Sequence, residues 1–80
     1  MEVIARTPQQ LGQALRLRRT QLMLSQTDMG SKVGIKQDTV SKLEIRTSSS
    51  TVETLFKALS ALGLELIVRE KSRAPSSQEW

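Results

Sequence analysis

The sequence predicts a mainly α-helical domain of four to five short helices, closed by one β-strand that pairs across a dimer. Three observations predict it. Hydroxyl residues that suit helix starts recur at Thr7, Ser25 and Thr51, each ahead of a run with helical apolar spacing. Between Ser25 and Ile45, two short amphipathic segments meet at Val33-Gly34, the arrangement of a helix-turn-helix. At Leu64 the apolar period drops from helical to every second residue.

Residues 1–6, MEVIAR, place Val3 beside Ile4 without helical period and read as a short strand or a frayed arm. Thr7-Pro8 starts the first helix: the threonine caps it, and proline occupies the first turn, where its missing N–H is no loss. Leu11, Leu15, Arg18 and Leu22 share a stripe with Ala14 beside it, and the helix should stop near residues 21–23. Arg18 interrupts that seam, so its stem is expected along carbon at the edge with its head in water.

Ser25 and Asp28 have the spacing of a capping box, and Met29 and Val33 give the second helix one apolar face. Gly34 adopts positive φ cheaply, which suits a sharp turn. From Lys36 to Glu44 the helical period resumes with Val40 and Leu43 inward, and with Lys36, Gln37, Asp38, Ser41 and Lys42 outward. An apolar seam beneath a hydrogen-bonding outer face is how a helix-turn-helix reads a major groove.

Residues 46–51 read as a polar connector ending in the cap of a fourth helix. Its inner face is expected to hold Val52, Leu55, Phe56, Leu59 and Leu62, with Gly63 just past its end. Leu64, Leu66 and Val68 then alternate with Glu65, Ile67 and Arg69 as a strand. A lone strand leaves unpaired backbone groups, so it needs either residues 2–6 or the same strand of a second copy; the dimer is favoured, with Leu64, Leu66, Ile67 and Val68 as its contacts. The chain therefore divides into an arm (1–7), a helix-turn-helix domain (8–63), a dimerisation strand (64–70) and a flexible polar tail (71–80) ending in Trp80.

Composition narrows the function. Eighty residues make one small domain, with Phe56 and Trp80 as its aromatics, so the core must be aliphatic. Cysteine and histidine are absent, which removes thiol nucleophiles, the usual zinc sites and the usual neutral-pH general base. With no glycine-rich phosphate loop and too little chain to enclose a pocket, an enzyme is not expected, nor a cofactor or metal. The start lacks a long apolar run, so neither a signal peptide nor a membrane span is expected. The net charge of +4 resides between residues 16 and 46, where seven basic side chains face three acidic ones. That excess, lying on the groove-reading elements, points to a polyanion partner.

The pattern resembles the lambda-repressor-like (Xre) helix-turn-helix family over residues 8–64, carried by LGQALRLRR at 11–19, LSQTDMGSKVGIKQDTVSKLE at 24–44 and TVETLFKALSALGL at 51–64. Within it the chain is most similar to the HipB-type antitoxins, through Gly34-Ile35-Lys36-Gln37, the strand at 64–69 and the close on Glu79-Trp80. The resemblance implies a cytoplasmic, nucleoid-associated bacterial protein. It would bind palindromic operator DNA as a homodimer, repress its own transcription and neutralise a HipA-type Ser/Thr kinase toxin. The alternatives are a stand-alone Xre-type transcriptional repressor without a toxin, and an interaction module that does not depend on DNA.

The resemblance also assigns roles. Gln26 approaches the first base, Gln37 packs against it and reaches bases too, and Lys36, Asp38, Ser41 and Lys42 are the remaining readers. Arg16, Arg19, Lys32, Arg46, Thr47 and Ser48 are candidates for phosphate. Bland readings stand beside these: Arg19 and Glu44 occupy positions that commonly pair inside the fold, Lys32 can face solvent, and Asp38 suits any helix start. Three residues depart from the family pattern: Met23 replaces a glycine, Gly30 an alanine, and Arg18 an apolar residue. Gly30 is expected to be sterically acceptable while weakening its helix by roughly 1 kcal/mol.

Overall fold

The capping signals are used as written. In the computed structural model, which describes residues 1–71, four α-helices form: α1 (Pro8–Gln21), α2 (Gln26–Val33), α3 (Gln37–Ile45) and α4 (Val52–Leu62). The Thr7 hydroxyl accepts the Gln10 N–H at 3.1 Å, and the Thr51 hydroxyl accepts the Thr54 N–H at 3.1 Å. Ser25 and Asp28 close a complete capping box, the serine oxygen taking the Asp28 N–H at 2.9 Å and the Asp28 carboxylate taking the Ser25 N–H at 3.2 Å. Lys36, expected in the third helix, is instead its cap residue.

Three helices end in one way. The N–H of Leu24 bonds the Arg19 carbonyl, that of Ile35 the Gly30 carbonyl and that of Leu64 the Leu59 carbonyl, and before each donor stands a left-handed residue. Two of these are Gly34 (φ 72°) and Gly63 (φ 66°), but the third is Met23 (φ 58°). A side chain in that region costs about 1–2 kcal/mol, and the Met23 side chain is 89% exposed and contributes little packing in return. Met23→Gly is therefore expected to raise the unfolding free energy by about 0.5–1 kcal/mol once glycine's greater freedom in the unfolded chain is deducted. Urea unfolding checks it: a midpoint that falls would show that Met23 packs in a way its exposure hides.

The core joins all four helices. Leu15, Met29, Val40, Leu43, Ala58, Leu59 and Leu62 are buried, with Leu11, Leu24, Ile35, Leu55, Ala61 and Leu64 half-buried around them. Helix α1 packs on α3 and α4, and α2 packs on the same pair. Each fully buried Leu, Met or Val side chain contributes about 1.5–3 kcal/mol of transfer free energy.

Several expectations need correction. Ala58 takes the inner position given to Phe56: Leu55, Ala58, Leu59 and Leu62 line the face toward the core, leaving Phe56 51% exposed about a quarter-turn away and Val52 68% exposed in the first turn. Leu22 is 40% exposed, because its helix has ended. The Arg18 head is not left to water: its Nε donates to the Leu62 carbonyl at 3.0 Å, satisfying an orphan acceptor at the end of α4. The supposed flexible connector holds a 3-10 turn at Thr47–Ser49, tied by the Thr47 hydroxyl to the Leu43 carbonyl and by the Ser49 hydroxyl to the Arg46 carbonyl.

Two glycines mark close approaches. A Cβ on Gly12 would collide with Thr47 Oγ1 and the Glu44 carbonyl oxygen, so α1 lies directly against the end of α3. At Gly30 a Cβ would collide with the Ile35 carbonyl oxygen. Gly30 is thus a contact requirement of this α2–α3 turn, where the sequence suggested a tolerated loss of helix propensity.

Among the described residues no strand forms. Residues 64–71 and 1–6 carry no regular structure, and the two segments run beside each other, sharing crevices lined by Ile4, Ala5 and Arg6 on one side and Ile67, Val68 and Arg69 on the other. Leu64 is half-buried, whereas Leu66, Ile67 and Val68 are 50%, 62% and 91% exposed. Most of the expected tail (residues 72–80, with Glu79 and Trp80) lies outside the described residues.

Candidate nucleic-acid interface

The outer face of α3 exists because its inner face is spent. Val40 and Leu43 point into the core, and the helical period then leaves Gln37, Asp38 and Lys42 exposed and Ser41 half-buried, with the exposed cap Lys36 ahead of them. Asp38 lies in the first turn, where its charge suits the helix dipole. Gln26, half-buried, opens α2.

Gln26 and Gln37 are joined. Gln37 Nε2 donates to Gln26 Oε1 at 2.6 Å, so a residue from each helix of the pair meets at one point of the surface. Behind them stands the buried pair. Arg19 Nε donates to Glu44 Oε2 at 2.6 Å and its Nη2 to Oε1 at 3.1 Å, while Nη1 donates to the Leu24 carbonyl at 2.9 Å. The Glu44 side chain is only 1% exposed. Removing a carboxylate from water is tolerable where a guanidinium meets it in fork geometry. Arg19 is therefore structural, as its position suggested. Gln26 Nε2 donates to the same Glu44 Oε1 at 3.1 Å, a link that no pattern in the sequence announces.

The other candidates lie on α1, on α2 and just after α3. Arg16 is exposed on α1, Lys32 is exposed in the last turn of α2, and Arg46 and Ser48 are exposed after α3. Thr47 is half-buried, and its hydroxyl proton goes to the Leu43 carbonyl at 2.6 Å, which leaves that oxygen nothing to donate to a phosphate. Sequence reasoning missed Gly12, whose placement in a helix interior was the available signal.

The arrangement offers amide donors and acceptors flanked by cations on a convex helix surface, the inventory for hydrogen-bonding base edges while neutralising phosphate. Comparison with known proteins identifies the family. A helix-turn-helix family model matches residues 15–68. Antitoxin HipB of Escherichia coli (strain K12) is 36% identical over 74 residues, spanning 91% of this chain and 84% of that protein. The chain belongs to the helix-turn-helix family, among the HipB antitoxins. Solved members superpose closely: a HipB–O4 20mer complex gives a TM-score of 0.85 at 32% identity, and a HipA–HipB–O2–O3 complex gives 0.84 at 32%. In both, the match covers 89% of this chain and all of the other. This family is not enzymatic, and among the described residues no helix is long and apolar enough to cross a membrane.

Proposed function

We propose that this protein is an antitoxin and transcriptional autorepressor: it binds palindromic operator DNA as a dimer and neutralises a HipA-type Ser/Thr kinase toxin in the bacterial cytoplasm, at the nucleoid. The observation that carries the reading is the likeness, over nearly the whole chain, to HipB in the HipA–HipB–O2–O3 complex. Gln26, Lys36, Gln37, Asp38, Ser41 and Lys42 face the bases, and Arg16, Arg46 and Ser48 take phosphate. Thr47 joins the phosphate set only by giving up its bond to Leu43. Half-sites then lie roughly 34 Å apart, one DNA turn, or a multiple of that.

Affinity purification of the tagged protein from its own cells, followed by mass spectrometry, tests the assignment. Recovery of a kinase near one-to-one with the protein is the expected result. Recovery with promoter DNA and no kinase would replace it with a stand-alone repressor.

Dimerisation in this reading uses residues 64–70, whose alternating pattern and exposed Leu66, Ile67 and Val68 suit pairing with the same segment of a second copy. Leu66→Lys is expected to weaken the dimer at least tenfold in sedimentation equilibrium, because like charges would then lie close to the dyad. An unchanged dimer would eliminate the strand model.

A further inference from the structure

The buried Arg19–Glu44 pair reaches the surface through a chain of two amides, and the chain has a direction. An ionised carboxylate only accepts hydrogen bonds. Glu44 Oε1 therefore fixes which end of the Gln26 amide faces it: the nitrogen, at 3.1 Å. The Gln26 oxygen is turned the other way, toward Gln37, and an oxygen only accepts. Gln37 must meet it with nitrogen, as it does at 2.6 Å. One Gln37 N–H is thereby committed, leaving its second N–H and its Oε1 for a base.

We propose that Glu44 is a positioning residue for base selection: through Gln26 it holds Gln37 with one donor and one acceptor outward, the complement of adenine and not of guanine. In the major groove adenine offers an acceptor at N7 and a donor at N6, whereas guanine offers acceptors at N7 and O6. A freely turning glutamine could aim both N–H groups at guanine; a glutamine with one N–H held by Gln26 cannot. The pair also supplies rigidity, because Arg19 grips both carboxylate oxygens and the Glu44 side chain is 1% exposed. Selection is thus set in the core, two residues behind the surface that touches DNA. This rests on the reading of Gln37 as a base reader.

The test uses the full-length protein and a duplex that it selects from a random library. Gln37→Ala locates the base pair that Gln37 reads, as the position where operator affinity ceases to depend on sequence. At that position the native protein is expected to favour A·T over G·C by tenfold or more. Glu44→Gln can turn either amide end toward Gln26, and Gln26→Leu cuts the chain while leaving the Arg19–Glu44 pair whole, which covers the case in which the Glu44 variant does not fold. Both are expected to reduce the preference to threefold or less, and the Glu44→Gln protein, whose replaced group is buried away from DNA, should keep its affinity for unselected duplex within twofold. Retention of the full preference in the folded variants would overturn the role of Glu44 and leave Gln37 as a reader. A Gln37→Ala protein that still discriminates at every position would overturn the reading beneath it as well.

Discussion

Glu44→Ala is expected to lower the unfolding free energy by about 3–5 kcal/mol, the range for breaking one side of a buried ion pair. Arg19 would keep its bond to the Leu24 carbonyl but lose both bonds to the carboxylate, leaving a guanidinium only 11% exposed without a counter-charge. Gln26 would lose its inner anchor in the same step. An 80-residue chain typically has about 4–12 kcal/mol of stability, so the variant should be largely unfolded at moderate urea. The paired replacement Arg19→Met with Glu44→Leu separates the causes. If the single loss comes from an uncompensated buried charge, the double variant should recover much of it. Chemical denaturation of the three proteins decides; a single-variant loss below about 1 kcal/mol would place the pair among weak, solvent-screened ones.

Gly12→Ala is expected to destabilise by about 3 kcal/mol, at the upper end for overpacking, despite alanine's better helix propensity. The new Cβ meets two obstacles of different kinds. Thr47 Oγ1 belongs to a side chain, though one held by its bond to the Leu43 carbonyl; the Glu44 carbonyl belongs to the backbone of α3 and moves only with the helix. Because α3 carries Gln37 and Lys42, proposed above as base readers, the displacement should also weaken operator binding more than binding to unselected duplex. Thermal unfolding and a binding titration check the two parts. A Gly12→Ala protein as stable as the native one would mean that α1 and α3 separate at little cost.

The sequence by itself determined the local elements and their order. Thr7, Ser25 and Thr51 cap helices because each offers a side-chain oxygen to N–H groups two or three residues on, a choice made within one turn. Gly34 and Gly63 end helices for an equally local reason, and Val40 and Leu43 declare the inner face of α3, which leaves its polar face outward. The Arg19–Glu44 pairing was legible only through the family pattern, since twenty-five residues separate its partners and no local rule connects them.

Tertiary structure decided whatever depended on distance between elements. The need for glycine at residues 12 and 30 comes from neighbouring backbone, which spacing along one helix cannot reveal. Arg18 found its acceptor 44 residues away, at the end of α4. Ala58, too small to stand out in a sequence, displaced Phe56 from the core because the rotation of α4 is set by the helices it packs on. The bond from Gln26 to Glu44 arises from the same packing. Periodicity specifies which face of each helix is apolar; only the assembled helices specify which polar side chains meet.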